Sequence, residues 1–238
     1  MLLLAIDTCD SRGSVALLQD EKVLQIELHE TSEDYSAWLL PAVQRILDTT
    51  GLELQDVNAY AVANGPGSFT GVRIGLTTAK AWSELYAKAI AAVSRLEALS
   101  TYSSGRFPYV AVFFDAQRNQ LFGALYRRHS DSLERIEDEM VIAPEKFVDW
   151  AAATVEGGRI EWISPDPKVL TRTDQWSSRV ALSESIQVVS PVFAPAIGRL
   201  GRRLASENRT TDALSVDANY VRRSDAEILW KATPNHAR

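Results

Sequence analysis

The chain of 238 residues predicts an α/β protein made of two similar halves, and three observations carry that prediction. An apolar run, Leu2-Leu3-Leu4-Ala5-Ile6-Asp7, ends in an acid and leads into a second strand pattern, Ser14-Val15-Ala16-Leu17. The same order returns at Tyr109-Val110-Ala111-Val112-Phe113-Phe114-Asp115, followed by Leu121-Phe122-Gly123-Ala124-Leu125-Tyr126. Between the two stands Ala61-Val62-Ala63, a short strand that runs through Gly65-Pro66-Gly67 into a helical pattern. A weak internal duplication of this kind divides the chain into residues 1–102 and 103–238, with the break near Ser103-Ser104-Gly105 and the extreme C-terminus free to pack back on the first half.

Each element follows from local pattern. Residues 2–7 are almost uniformly apolar, as a strand buried on both faces requires. Gly13 marks a turn before strands at 14–18 and 23–28. Residues 33–49 carry Trp38, Leu39, Val43, Ile46 and Leu47 at helical spacing, and Gly51 is a suitable stop. Pro41 lies inside that helix, where its ring should kink it or displace its start. A second helix is expected over residues 70–89, with Trp82, Leu85, Tyr86 and Ala89 on one face and Gly71, Gly75, Thr78 and Ala79 as small residues. The second half reads as a helix at 144–153, strands at 160–163 and 186–189, and a helix at 194–206. Gly157-Gly158 reads as a strand turn, and the tail as helical from Ala226 and frayed from Thr233 to Arg238.

The glycine segment, residues 61–75, is the most informative stretch. Pro66 fixes φ, and Gly65 and Gly67 reach backbone angles closed to other residues. Ser68 or Thr70 can cap the amides of the first helical turn. Glycine inside a helix costs about 1 kcal/mol relative to alanine, so Gly71 and Gly75 point to a need for space on one face. Two readings stand. The turn either holds the fold or offers free amides and a positive helix end to a phosphate. Its spacing matches neither the Walker pattern nor the dinucleotide fingerprint, and the residues leave the choice open.

Composition narrows the function classes. With 46% hydrophobic and 24% charged residues, the chain is ordinary for a water-soluble globular protein. No apolar run approaches the roughly 20 residues of a membrane span, and Met1-Leu2-Leu3-Leu4 is too short for a signal segment. The single cysteine, Cys9, excludes an internal disulfide and fits a reducing cytosol; it is read as a nucleophile or as a small buried residue. Net charge is −6, all of it in residues 1–100, where 13 acids face 7 basic residues, while 18 of each balance in the rest. That first half is a poor RNA-binding surface. His29, His129 and His236 lack any metal-ligand spacing and carry no recognisable nucleophile motif beside them. Asp7 and Asp115, at strand ends, sit either where α/β enzymes place phosphate or metal-water chemistry or as carboxylates that accept turn amides. Arg199, Arg202 and Arg203 form one basic helical stripe, either solvated surface or a contact for phosphate or an acidic partner.

Gly65-Pro66-Gly67-Ser68-Phe69-Thr70-Gly71-Val72-Arg73-Ile74-Gly75, with the Leu4-Ala5-Ile6-Asp7-Thr8 opening and Leu39-Leu40-Pro41, resembles the bacterial TsaB (YeaZ) family. Ala79-Lys80, residues 112–118 and the near-terminal Tyr220-Val221-Arg222-Arg223 extend the resemblance. It implies the fold shared by actin, Hsp70 and sugar kinases (the ASKHA fold), with two RNase H-like halves. It also implies a cytoplasmic, non-catalytic partner of the transferase TsaD and the ATPase TsaE. Their product is N6-threonylcarbamoyladenosine beside the anticodon of tRNAs that read codons beginning with A. On that basis no protease activity is expected, and the chain alone holds no cofactor. Metal belongs to TsaD, any nucleotide to the interface of the complex, and tRNA is met only through the complex. In the catalytic relative two histidines after the glycine-turn helix bind metal; here the matching positions hold Arg95 and Leu99, which cannot. Tyr35 stands where many members have histidine, and Asp10 adds a negative charge where phosphate turns favour small residues. The resemblance implies that Asp7, Thr8 and Asp115 are a vestigial phosphate site, and Gly65, Pro66, Gly67, Ser68 and Thr70 a structural turn. The resemblance makes Trp38, Leu39, Val43, Ile46, Gly71, Gly75, Thr78 and Trp82 the surface for TsaD, or for a homodimer in isolation. The competing expectations are a stand-alone nucleotide-dependent phosphotransferase of the same fold and a direct RNA-binding protein.

Overall fold

Two five-position sheets of the same topology are laid down in sequence. The structure, a computed structural model, describes residues 1–30, 32–130 and 132–221. Arg222, Arg223, His236, the helical tail from Ala226 and its frayed end lie outside the described residues. In the first sheet β1 (Leu2–Asp7) pairs antiparallel with β2 (Ser14–Gln19), which pairs antiparallel with β3 (Lys22–Leu28). On its other side β1 runs parallel to β4 (Ala59–Ala63), which runs parallel to β5 (Ala89–Val93), giving the order β3-β2-β1-β4-β5.

The second sheet repeats this. Strand β6 (Tyr109–Asp115) takes the place of β1 and pairs antiparallel with β7 (Leu121–Arg128). The short strands β8 (Leu133–Arg135) and β9 (Met140–Ile142) both pair with β7. On the parallel side come β10 (Ile160–Ser164) and β11 (Ile186–Val188). The duplication reaches single hydrogen bonds. Asp7 Oδ1 accepts from the Cys9 amide at 3.0 Å, and Asp115 Oδ1 accepts from the Gln117 amide at 2.7 Å.

Helices cover both faces of the first sheet. On one side lie α1 (Tyr35–Thr50), against β2 and β3, and α2 (Phe69–Tyr86), against β1, β4 and β5. Helix α1 runs through Pro41, and its start is Tyr35 rather than residue 33. Helix α2 stops at Tyr86, because Ala87 takes a left-handed conformation (φ 51°) before β5 begins. Strand β5 and the six-residue α3 (Arg95–Ser100) are absent from the sequence reading, which carried α2 to residue 89. In the second half, α4 (Pro144–Thr154), α5 (Lys168–Thr171) and α6 (Asp174–Ala181) pack around an aromatic core that includes Phe113, Phe147 and Trp162.

Helix α7 (Ala194–Ser206) comes late in the chain but lies on the first sheet, opposite α2. Alternation along the strands shows this. Ala5 and Ala61 face Gly198 and Gly201 of α7, whereas their neighbours Ile6 and Val62 face Gly75 of α2. Spatial grouping therefore departs from the sequence division at residue 103, since residues 194–206 belong with the first sheet. Alternate residues of β6 serve two cores. Val110, Val112 and Phe114 join the core shared with the first half, while Ala111 and Phe113 turn to α4.

Candidate functional site

The loop after β1, the glycine turn, the start of α3 and the loop after β6 meet in a cleft between the halves. Its cavity, about 440 Å³, is lined by Asp10, Gly67, Phe69, Arg95, Asp115 and Tyr220 among others. Arg95 forms the floor. Ser94 caps α3 by accepting the amides of Leu96 and Glu97, which sets Arg95 at the first helical position, pointing under the β1 loop. The Arg95 side chain is 1% exposed. Its Nε donates to Asp7 Oδ2 at 3.0 Å and its NH2 to Asp10 Oδ2 at 2.9 Å. The guanidinium also lies over the rings of Phe114 and Phe193, at 4.4 and 5.4 Å.

Charges continue outward from there. Arg12 NH2 donates to Asp10 at 2.9 Å and Arg12 NH1 to Asp166 Oδ1 at 2.8 Å; Asp166 Oδ2 also accepts the Asp115 amide at 3.1 Å. The series Asp7–Arg95–Asp10–Arg12–Asp166 thus links the first half to the second. Burial pushes the Asp10 carboxyl up, but Arg95 and Arg12 outweigh it and hold the group at about 2. Burial dominates at Asp7, raising its carboxyl despite Arg95. Burial works against the charge on Arg95 as well, and Asp7 and Asp10 overcome it, so the guanidinium stays protonated.

Asp115 lines this cleft while Asp7 and Thr8 are buried beside it, and all three are engaged by the chain's own groups. Thr8 Oγ1 donates to the Gly71 carbonyl at 2.7 Å. Asp7 and Asp115 accept turn amides, the second of their two readings. Ser68, rather than Thr70, caps α2, with Oγ accepting the Gly71 amide at 3.3 Å. Gly65 has φ +116°, and its carbonyl accepts the Arg95 amide at 2.8 Å, so the glycine turn positions the buried arginine. Cys9 is buried, and burial raises its thiol well above the usual range, which suits a packing role better than a nucleophile. Leu99 is in the core, fully buried.

Of the residues assigned by the resemblance to a partner surface, Leu39 and Thr78 border a groove between α1 and α2, and the others are turned inward. Trp38, Leu39, Val43 and Ile46 are buried in the chain's own core, as are Gly71, Gly75 and Trp82; only Thr78 is half-buried. The small strip on α2 seats the chain's own β1 loop. A Cβ on Gly71 would stand 2.0 Å from the Thr8 carbonyl oxygen, and one on Gly75 2.6 Å from Thr8 Oγ1. A substitution there tests the fold, not an interface. Gly71→Ala is expected to lower unfolding free energy by about 1–3 kcal/mol through overpacking. Urea unfolding measures this, and a change under about 0.5 kcal/mol would contradict the tight seat.

The apolar groove between α1 and α2, open to solvent and about 480 Å³, is bordered by Tyr35, Leu39, Leu40, Phe69, Ile74 and Thr78 among others. Leu40 is 55% exposed and Phe69 38%. These residues stand off the main helical stripe, so a search for the strongest periodicity passes over them. The Arg199, Arg202 and Arg203 stripe is also accounted for locally, since Arg199 and Arg202 pair with Glu21 and Arg203 with Glu97. His29 is held between the carbonyls of Ser11 and Glu33, and His129 pairs with Glu134. Among the described residues, no group of three or more His, Cys, Asp or Glu is arranged to hold a metal ion. No helix among them is long and apolar enough to cross a membrane.

Comparison with known proteins agrees with this architecture. The family model for "TsaD: tRNA N6-adenosine threonylcarbamoyltransferase" matches residues 25–178. The tRNA threonylcarbamoyladenosine biosynthesis protein TsaB of Bacillus subtilis (strain 168) is 28% identical over 235 residues, covering 97% of this chain and 98% of that protein. Its counterpart of the same description in Escherichia coli (strain K12) is 27% identical, over 98% and 99% of the two chains. A crystal structure of a Pseudomonas aeruginosa protein with similarity to peptidase YEAZ superposes with a TM-score of 0.75 at 26% identity, covering 93% of this chain and 99% of that one. The paired sheets are those of the actin, Hsp70 and sugar-kinase fold. By its matched model, full-length relatives and fold, the chain belongs to the TsaD-type threonylcarbamoyltransferase family and, within it, to the TsaB (YeaZ) group.

Proposed function

We propose that this chain is a non-catalytic docking subunit in the formation of N6-threonylcarbamoyladenosine in tRNA. It pairs with a TsaD-type transferase through the α1/α2 groove and works with a TsaE-type ATPase. The relatives' names place them in this pathway. The observation that carries the non-catalytic reading is Arg95. At one of the two positions where the catalytic relative is expected to hold metal stands a buried guanidinium already bound to Asp7 and Asp10, and at the other a core leucine. Neither residue fits a divalent ion. The acids that a phosphotransferase would present to metal and phosphate are occupied by Arg95, Arg12 and turn amides, which weighs against the stand-alone phosphotransferase. A charge balance of −6 in residues 1–100 leaves tRNA binding to the partner.

Reconstitution tests the reading. The chain alone is expected to transfer no threonylcarbamoyl group and turn over no nucleotide. Mixed with the TsaD- and TsaE-type proteins of the same source it should support transfer to tRNA, and its omission should abolish that activity. Transfer or sustained ATP hydrolysis by the isolated chain would overturn the assignment. Leu40→Asp probes the groove by placing a charge on its apolar wall. Because burying an unpaired carboxylate is costly, association with the TsaD-type partner should fall at least about tenfold. Leu40 is exposed, so the melting temperature should stay near that of the parent.

A further inference from the structure

Arg73 is the one charged side chain among the residues that border the groove, and although exposed it is held by two aromatic neighbours. Its guanidinium carbon lies 3.7 Å from the centroid of the Phe69 ring. Its Nε donates to the Tyr220 hydroxyl at 2.8 Å, and the Tyr220 ring stacks on Phe69 at 5.1 Å with 29° between planes. Tyr220 arrives on a strap, residues 211–221, that is fastened independently of Arg73. Thr211 exchanges backbone hydrogen bonds with Ile90 at 2.8 and 2.9 Å, the Asn219 amide donates to Asn64 O at 2.7 Å, and Asn219 Nδ2 donates to Glu139 Oε2 at 2.5 Å. Among the described residues, neither NH1 nor NH2 of Arg73 has an acceptor, and no carboxylate pairs with it.

We propose that Arg73 is the specificity residue of the docking groove. It receives an acidic side chain, Asp or Glu, carried by the partner where it fills the apolar channel between α1 and α2. This rests on reading the groove as the surface for the TsaD-type partner. With Nε bound to Tyr220 and one face on Phe69, the guanidinium offers its remaining edge, NH1 and NH2, in a fixed plane. That is the geometry a carboxylate takes in a two-point pair. Ordering the arginine is done before the partner arrives, which removes a cost that binding otherwise bears. Aromatic and arginine side chains packed together are also the residue types in which binding energy concentrates. Tyr220 and the strap act as positioning elements, since they set the plane of the guanidinium without needing to touch the partner.

Association of the full-length chain with the TsaD-type partner, measured across a series of salt concentrations, tests this. Arg73→Gln is expected to weaken binding roughly tenfold to a hundredfold and to flatten its salt dependence. Arg73→Glu should weaken it further through repulsion, and Arg73→Lys should recover only part of the loss. Tyr220→Phe keeps the ring and removes the hydroxyl, and should weaken binding about twofold to fivefold with unchanged thermal unfolding. If Leu40→Asp abolishes association while Arg73→Gln and Arg73→Glu bind within twofold of the parent, the carboxylate proposal falls and the groove stands. If Leu40→Asp also binds as the parent does, the groove reading fails and the proposal with it. If Arg73→Gln alters only self-association of the chain, the occupant is a second copy and the proposal for the partner is overturned.

Discussion

Replacing Arg95 by methionine is expected to cost about 3–5 kcal/mol of unfolding free energy at neutral pH, the scale for a buried ion pair that loses one member. Methionine approximates the volume of the side chain, so the loss reports charge rather than a cavity. Asp7 is fully buried and Asp10 half-buried, and each would lose a hydrogen bond to the guanidinium. The pH dependence should also steepen, since in the parent the raised Asp7 carboxyl already contributes stability that is lost as pH rises through its folded value. In the parent, Asp10 sits at about 2, below the roughly 3.9 of an unfolded aspartate. Its contribution is therefore present above about pH 4 and lost as pH falls toward 2. In the variant the carboxyls of Asp7 and Asp10 rise, because burial remains and the cation is gone. The native state then binds still more protons relative to the unfolded chain, so stability falls more steeply as pH rises from about 5 to 7. Urea unfolding at those two pH values is the measurement. A variant within 1 kcal/mol of the parent, with the same slope, would show that the buried cation is not what holds the cleft together.

Much of this architecture is legible from the sequence, and where legibility stops has physical reasons. The strands that end in Asp7 and Asp115 are recognisable because a strand buried on both faces must be apolar throughout and its end must satisfy turn amides. Boundaries of α4 and α7 are close for a similar reason, since each opens with proline in its first turn. Strand β5 and α3 are missed because Ala87 ends α2 in a left-handed conformation without glycine or proline to announce it, and the apolar run continues across the break. The placement of α7 on the first sheet depends on Gly198 and Gly201 meeting Leu18 and Ala61, contacts between residues far apart in sequence. At the site, the glycine turn is informative but its purpose is not. Gly71 and Gly75 look like room for another molecule, and the space is taken by Thr8 of the same chain. Leu40, Phe69 and Ile74, which border the groove, carry no periodic signal because they lie beside the buried stripe rather than on it.

The second large effect is expected outside the cleft, at Glu184. The residue is 3% exposed and its carboxylate is fully engaged. Oε1 accepts from the Ile160 amide at 2.9 Å and from Arg179 NH2 at 2.6 Å, while Oε2 accepts from Trp162 Nε1 at 2.7 Å and from Arg179 Nε at 2.8 Å. Glu184→Ala strands a buried guanidinium, an indole N–H and a strand amide together, so the loss should be about 3–5 kcal/mol. Adding Arg179→Met removes the stranded cation and should recover part of that loss. Recovery should be incomplete, because the Ile160 amide and Trp162 Nε1 still lack an acceptor. The difference between the double variant and the sum of the singles isolates the ion pair from those two bonds. Urea unfolding supplies all three values, and a Glu184→Ala loss below 1 kcal/mol would mean that the cluster is replaceable by packing. None of these residues borders the groove. Association with the TsaD-type partner, measured where the variant remains folded, should therefore match the parent, separating a stability defect in the second sheet from a docking defect on the first.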